Sequence, residues 1–271
     1  MVSNLLETDL ENILEDAFAE TEGELLVVDP SAETVEAIVE AGIESDDLPE
    51  LCLLADEGVL KTVMDDFLIA SKAADLVEGG SLSLRVLSTE ADNSLFVSAD
   101  RVVALVSTGG RVAALSSDDA EFVEEVFSTY RDAFEAAEEY RLRTPAISRI
   151  RETMTEEIGE ATREDFDDVL ASMETARGNG DGLDEVTVSL LVAAKNDVLL
   201  YDISKWGEDV GIASKATFSR TKTRLEDLGL IDTEKVPIDV GRPRLRLKLG
   251  DDRLKDAPVD QLADVVQSAL N

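Results

Sequence analysis

Two short runs of apolar residues, each followed by a helical pattern, limit what the N-terminal half of this chain can fold into. The runs at 24–30 and 51–55 predict buried strands. Apolar residues then recur at three- and four-residue spacing, which predicts a helix after Ser31 and a second helix over 57–78. Further strands are predicted at 81–88, 95–98, 102–107 and 111–115, followed by a long amphipathic helix. This order predicts an α/β domain, a mixed sheet with helices, over residues 1–143.

The rest of the chain is predicted to be mainly helical. Residues 144–182 form a predicted helical linker, which is interrupted at Gly159 and ends in the glycine-rich stretch 178–182. A second domain is predicted over 183–255, and an amphipathic C-terminal helix over 256–271. We therefore expect two domains that are joined by linker helices.

The composition excludes several classes of function. The chain has no histidine and a single cysteine, which excludes Ser-His-Asp and Cys-His catalysis, histidine-ligated metals and an intrachain disulfide. We expect no metal and no cofactor. Because no apolar run reaches the length of a membrane span and the N-terminus lacks the order of a signal peptide, we expect a cytoplasmic protein without a membrane partner.

Acidic residues set the electrostatic background of the chain. It has 60 Asp and Glu against 25 Lys and Arg, a net charge of −35, while 44% of its residues are hydrophobic. An acidic surface over an ordinary core is typical of halophiles, so we expect this chain to come from one. Only local departures from that background are informative. Residues 213–255 are such a departure: they hold 11 bases and 7 acids, a charge of +4, and leave −39 for the remainder.

Two acid-free clusters, 214–224 and 242–248, hold eight of these bases. The first cluster lies on a predicted helix that follows a helix and a tight turn, and that stops at Gly229. The second lies in a predicted hairpin. Helix, helix, turn, helix and hairpin together form the winged helix-turn-helix plan. Its helices are predicted near 184–195, 202–210 and 214–228, and its strands at 230–238 and 243–249.

The third of these helices carries the candidate contacts to DNA. Thr217, Arg220 and Arg224 share one stripe, whereas Phe218 and Leu225 share another that must face the first two helices. Arginine can bond guanine bidentately, and Ser or Thr suits either base type. In the hairpin, basic and apolar residues alternate, so one face is basic. The predicted DNA-binding residues are Ser214, Lys215, Thr217, Ser219, Arg220, Thr221, Lys222, Thr223, Arg224, Arg242 and Arg244.

The stretches 214–231 and 240–248 resemble the recognition helix and wing of prokaryotic winged-helix repressors. The whole chain resembles the haloarchaeal TbsP-type transcriptional regulators, which are linked to TrmB-type control of sugar metabolism. That resemblance implies a DNA-binding regulator, a repressor of metabolic genes, with a metabolite-responsive N-terminal domain. Lys222 departs from the repressor pattern, in which an apolar residue usually stands. Its stem is predicted to cover the core, which puts its contact with DNA in doubt.

The N-terminal half resembles the effector modules of archaeal sugar-responsive winged-helix proteins, some of which share the phospholipase-D-like fold. The catalytic histidine of that fold is missing here, so its catalysis is excluded. An anionic metabolite such as a sugar phosphate needs basic or backbone N–H groups, and the candidates are Lys72, Arg85, Arg101 and Arg111, the last in a turn at 107–111. The alternative is that the arginines pair with surface carboxylates and the turn only closes a hairpin.

Three functions stay open at this point. The first is a homodimeric transcription factor on a pseudo-palindromic DNA operator, with the tail and linker helices as candidate dimer contacts. The second is a hydrolase or transferase with paired carboxylates, for which the sequence offers no distinguishing acidic motif. The third is a winged-helix adaptor that binds protein and not DNA. The two basic clusters favour the first.

Overall fold

The computed structural model describes residues 3–5, 10–45, 47–88, 91, 93–108, 111–173, 176, 183–239 and 243–270. The chain divides into two compact units. The N-terminal unit comprises Met1–Met64 and Lys72–Leu142, and the C-terminal unit comprises Asp65–Ser71 and Arg143–Asn271. Asp65–Ser71 therefore belongs to the second unit although it is surrounded in sequence by the first, a feature that local sequence patterns do not indicate.

Across its described residues, the N-terminal unit is built on an eight-stranded mixed sheet. The strands are β1 (Ser3–Leu5), β2 (Glu24–Val28), β3 (Glu50–Ala55), β4 (Leu82–Val86), β5 (Ser94–Val97), β6 (Val102–Thr108), β7 (Arg111–Ser117) and β8 (Glu138–Glu139). Their order is β1-β7-β6-β5-β2-β3-β4-β8; β2, β3 and β4 are parallel, and the other neighbours are antiparallel. The helices are α1 (Leu10–Glu20), α2 (Ala32–Glu44), α3 (Glu57–Met64), α4 (Phe67–Glu78) and α5 (Ala120–Ala136).

The centre of this sheet is formed by β2 and β3, whose apolar runs are almost wholly buried. On one face, Val123 and Phe134 of α5 pack against a cluster that includes Leu26 of β2 and Cys52 of β3. A side-chain cap starts α5, since Asp119 accepts a hydrogen bond from the Phe122 amide at 3.1 Å. The predicted mixed α/β class of this half is confirmed.

Two features of the N-terminal unit differ from the predicted elements. The helix predicted over 57–78 is two helices, because Asp66 between them turns its carboxylate to the Leu68 amide at 3.0 Å and caps α4. Helix α1 was not predicted. Its buried residues Leu10, Ile13, Leu14 and Phe18 have helical spacing, so the signal was present among the acidic residues that surround them.

The C-terminal unit is helical with one β-hairpin in its described part. Its helices are α6 (Ile147–Glu157), α7 (Glu160–Ala171), α8 (Glu185–Lys195), α9 (Leu200–Val210), α10 (Lys215–Asp227), α11 (Asp252–Asp256) and α12 (Leu262–Leu270), with a 3-10 turn at Val259–Gln261. Its strands are β9 (Ile231–Val236) and β10 (Arg244–Leu249), which pair antiparallel. The break predicted at Gly159 separates α6 from α7.

Helix α8 lies at the centre of this unit, with 186–194 buried throughout. Helices α6 and α7, in the range predicted as a linker, belong to the same core through residues such as Ile150 and Phe166. Trp206 of α9 donates its indole N–H to the Thr153 hydroxyl of α6 at 3.0 Å. The α6–α7 pair is therefore part of the folded C-terminal unit.

The hairpin packs as the wing of a helix-turn-helix domain. Strand β10 meets the short segment before α9 on its other edge, where the Leu247 amide donates to the Val198 carbonyl at 2.9 Å and Leu199 bridges to Arg246. Helices α8, α9 and α10 with this hairpin confirm the predicted C-terminal fold class. In the described part of the chain, none of the helices combines the length and apolar content that crossing a bilayer requires.

Candidate nucleic-acid interface

A close approach of α9 and α10 forms the helix-turn-helix. Gly211 ends α9 at φ 99°, a left-handed conformation that favours glycine, and the Ile212 amide donates to the Gly207 carbonyl at 2.8 Å. Gly207 faces the ring of Phe218, which leaves no room for a Cβ at that position. Phe218 and Leu225 of α10 are buried, as their predicted stripe requires.

The buried stripe turns the polar side of α10 outward. Ser214 caps the helix by accepting from the Thr217 amide at 3.2 Å, and its hydroxyl contacts the Thr217 hydroxyl at 3.1 Å. The Arg220 guanidinium donates to the same Thr217 hydroxyl at 3.3 Å. Ser214, Thr217 and Arg220 are therefore connected at the start of α10. Also exposed or partly exposed on α10 are Lys215, Ser219, Thr221, Thr223 and Arg224.

Arg220 differs in its environment from most of the other predicted contacts. Its side chain is exposed, and among the described residues it has no carboxylate partner. Lys215, by contrast, contacts Glu208 of α9 at 2.6 Å between Nζ and Oε2. The cationic end of Arg220 is thus available to a ligand, whereas that of Lys215 is already bound.

Lys222 is a correction to the predicted contact set. It is only 9% exposed, and its ammonium group bonds Glu226 Oε2 at 2.6 Å. The other oxygen of Glu226 accepts from the Thr233 hydroxyl at 2.8 Å. Lys222 therefore links α10 to β9 inside the domain and does not lie on the outer face, because its position is one turn from the buried Phe218.

The wing carries the predicted alternation of basic and apolar residues, but two of its bases, Arg244 and Lys248, are paired with carboxylates. Arg244 contacts Asp202 at 3.4 Å and lies over the ring of Tyr201 at 4.5 Å. Lys248 contacts Asp197 at 2.7 Å. Arg242 lies outside the described residues. The sequence pattern did not indicate these partners, because each pair joins residues from different elements.

Besides Lys248, two basic residues of the hairpin, Lys235 and Arg246, were not in the predicted set of DNA contacts. Arg246 shares the face of Arg244, and its Nε is buried without a hydrogen-bond partner in the described part of the chain. Lys235 of β9 is exposed. The alternation in 243–249 is the signal that could have included Arg246.

The structure does not bring together the three basic candidates of the N-terminal unit whose side chains it describes. Lys72 pairs with Glu40 at 2.6 Å. Arg85 donates to the Ala137 carbonyl at 2.9 Å and lies over the Phe134 ring at 5.4 Å. Arg101 pairs with Glu20, and the side chain of Arg111 lies outside the described residues. Because β3, β2 and β5 separate β4, which holds Arg85, from β6, which begins directly after Arg101, these two groups cannot bind one small anion.

One of the four candidates does line a cavity. Arg101 and Glu20 stand beside a small pocket under α1, whose apolar wall includes Ile13, Leu25 and Phe96. The wall comes from one face of the sheet and the inner side of α1. At this pocket a predicted basic residue and an apolar surface meet.

The comparison with protein families covers both units. The N-terminal family "Transcriptional regulator TbsP-like, N-terminal" matches residues 2–145. The family "Transcriptional regulator TbsP-like, C-terminal HTH domain" matches residues 146–267. The chain belongs to the TbsP-like transcriptional regulators. Among curated proteins, no sequence matches this TbsP-like chain.

Two solved structures are similar to parts of the TbsP-like chain. The archaeal chromatin protein TrmBL2, whose structure is described as showing a novel mode of DNA binding, is 19% identical over 51% of this chain, with a TM-score of 0.38. The match covers 54% of TrmBL2, so this chain spans about half of it. Nuc of Salmonella typhimurium, a phospholipase D family member, is 11% identical over 52% of this chain and 97% of its own, with a TM-score of 0.34.

These TM-scores are too low to define a fold, so the phospholipase-D-like fold of the N-terminal unit stays a prediction. The TbsP-like membership itself is independent of them. A transcriptional regulator with an HTH domain is the coarse function that this membership supports, since both matched families are described as transcriptional regulators.

Proposed function

We propose that this TbsP-like regulator binds a pseudo-palindromic operator as a homodimer and represses metabolic genes in the cytoplasm of a salt-adapted cell. The α10 helix reads base edges, and the β9–β10 wing contacts the backbone of the neighbouring groove. The acidic composition supports the salt-adapted setting. At molar salt, charge attraction to phosphate is screened, so direct hydrogen bonds from α10 carry the specificity.

The environment of Arg220 carries this proposal. Its guanidinium is exposed, free of carboxylate partners among the described residues, and oriented by the Thr217 hydroxyl at 3.3 Å. A planar guanidinium that is held at the start of a recognition helix suits the O6 and N7 acceptors of guanine. In a chain of net charge −35, such an unpaired cation favours an anionic partner.

The test compares two arginine substitutions on the promoter of the chain's own gene in molar KCl. We expect Arg220→Ala to lower the affinity for specific DNA by about 10–100-fold or more, which abolishes specific binding, because a base contact is lost. Arg244→Ala should weaken specific and non-specific DNA alike. Arg141→Ala, at an exposed arginine of the N-terminal unit, is the matched control. Equal losses on both DNAs for Arg220→Ala would contradict its base-reading role.

A winged-helix adaptor is the alternative, and the pairing of Lys215, Arg244 and Lys248 with carboxylates favours it. An adaptor predicts no gel shift of any promoter fragment at any salt concentration. A shift that disappears with Arg220→Ala supports the transcription factor instead.

We propose further that an anionic metabolite acts at the pocket beside Arg101. The support is that Arg101 lines an apolar cavity, where an anionic metabolite would replace Glu20 as the partner of its guanidinium. A sugar phosphate should raise the melting temperature of the protein, and Arg101→Ala should remove that shift. Lys72→Ala, in a basic residue remote from the pocket lining, should keep it.

A further inference from the structure

Helix α9 places a carboxylate at the start of the recognition helix. Glu208 accepts from Lys215 twice: from Nζ at 2.6 Å through Oε2, and from the backbone N–H at 3.3 Å through Oε1. The hydrogen bond from Lys215 lowers the pKa of Glu208, and the bond to Glu208 raises the pKa of Lys215. Both groups are therefore charged at neutral pH.

The two donors that Glu208 occupies are those that a DNA phosphate would use. A first-turn backbone N–H and a lysine ammonium group at a helix N-terminus are typical phosphate donors. Carboxylate and phosphate are both anionic acceptors, so they repel each other when they share one ammonium group. DNA phosphate therefore competes with Glu208 for Lys215.

We infer that Glu208 is a built-in competitor of DNA phosphate at Lys215, an autoinhibitory contact that sets affinity and its dependence on salt. The inference rests on the proposed DNA-binding function and adds its regulation by ionic strength. No new ligand is required, because the competitor is part of α9 itself.

The wing repeats the arrangement from the same helix. Asp202, in the first turn of α9, contacts Arg244 at 3.4 Å, and the same guanidinium lies over the ring of Tyr201. One helix thus supplies a carboxylate to each of the two elements that carry the basic clusters. The longer distance at Asp202 makes Glu208 the stronger competitor.

The competition has a thermodynamic signature. A lysine that neutralises a phosphate releases about 0.9 cation from DNA, which makes binding weaken as salt rises. If the phosphate displaces Glu208, the freed carboxylate takes up a cation and offsets that release. The salt slope of the wild-type protein is therefore shallower than its number of phosphate contacts implies.

The experiment measures DNA affinity by fluorescence anisotropy from about 0.1 M to about 1 M KCl, for Glu208→Gln, Lys215→Ala and the double variant. Glu208→Gln should bind about two- to fivefold more tightly at the low end, on specific and non-specific DNA alike. Its slope of log affinity against log KCl should be steeper by about one ion. In the Lys215→Ala background, Glu208→Gln should gain less affinity, because only the backbone N–H of residue 215 is then released to phosphate.

Asp209→Asn is the matched control for removal of one negative charge. Asp209 neighbours Glu208 on α9, but it bonds Lys205 of the same helix, and only the longer-range effect of its charge reaches Lys215 of α10. We expect its slope to equal that of the wild-type protein. Circular dichroism melts confirm that each variant is folded before its affinity is compared.

The outcomes separate the two proposals. If the wild-type protein and Glu208→Gln both fail to bind DNA at every salt concentration, the proposed function is wrong. Two results would contradict the role of Glu208 as a competitor in a wild-type protein that binds DNA. In the first, Glu208→Gln has the same affinity and the same salt slope as the wild-type protein. In the second, Glu208→Gln raises the affinity as much in the Lys215→Ala background as in the wild-type background.

Discussion

Lys222 and Arg220 lie two positions apart on α10 but differ in burial and in their hydrogen-bond partners. Lys222 is buried and bonds Glu226, whereas Arg220 is exposed and bonds only the Thr217 hydroxyl among the described residues. The sequence predicted both as contacts, because both are basic and belong to the acid-free cluster 214–224, although Lys222 departs from the pattern of winged-helix repressors. Burial divides them: Lys222 faces β9 and Arg220 faces solvent.

Removing Lys222 should therefore affect stability more than DNA binding. We expect Lys222→Ala to lower the free energy of unfolding by about 1–3 kcal/mol, since its buried stem is lost and Glu226 loses its cation. Urea denaturation measures this change, and Thr223→Ala at the exposed neighbouring position is the control. A stable Lys222→Ala protein without DNA binding would show that Lys222 contacts DNA after all.

Glu185 gives a prediction that depends on pH. Burial, followed by the charges of Asp184 and Asp65, raises its pKa above the ordinary 4.5. Because the folded-state pKa is raised, the stability associated with the protonated form is complete below pH 4.5 and is lost as pH rises through the folded pKa. Glu185→Gln should therefore raise the melting temperature at pH 7 by about 2 °C or more.

The advantage of Glu185→Gln should shrink as the pH falls toward 4.5, where the wild-type carboxyl becomes neutral too. Thermal melts at several pH values check this, with Glu164→Gln on the exposed side of α7 as the control. An advantage that stays constant with pH would rule out the buried charge as its cause.

At the scale of elements, the helix-turn-helix depends on the contact of Gly207 with Phe218. A Cβ on Gly207 would lie well inside van der Waals distance of the ring. Gly207→Ala should lower the free energy of unfolding by about 1–3 kcal/mol through overpacking, although alanine favours helix by about 1 kcal/mol. It should also weaken DNA binding, since α10 must move away from α9.

A second substitution makes the Gly207 prediction specific. In Gly207→Ala/Phe218→Leu, the smaller leucine side chain makes room for the methyl group that alanine adds at position 207. We therefore expect the double variant to lose less free energy of unfolding than the two single variants lose in sum. Denaturation curves of the four proteins form the cycle. Strict additivity would mean that the two residues do not clash.

Local patterns predicted most elements, and they failed where a single side chain decides. The spacing of apolar residues predicted α2 and α10 within a few residues of their bounds, and it predicted α5, α6 and α7 as helices without fixing where each one ends. It joined α3 to α4, because the helical period continues across Asp65 and Asp66. The break depends on where the Asp66 carboxylate points, which the period of the sequence does not contain.

At the scale of the whole molecule, the net charge of −35 opposes folding at low salt. We expect the melting temperature to rise continuously from about 0.1 M to about 1 M KCl, over which the Debye length falls from about 10 Å to about 3 Å. The screened surface ion pairs, such as Lys61 with Glu57, contribute too little to reverse this. Sucrose, an uncharged solute, is the control, and a falling melting temperature in KCl would contradict the prediction.

The sequence by itself determined which elements form and where the positive charge lies. Periods of two and 3.6 residues, glycine stops and capping side chains act over a few neighbours, so the α/β half, the winged helix and both basic clusters follow from the order of residues. Tertiary structure decided which of those charges are available. Glu208 reaches Lys215 across a turn, and Asp202 reaches Arg244 from 42 positions away, because packing sets distances between side chains that no local period records.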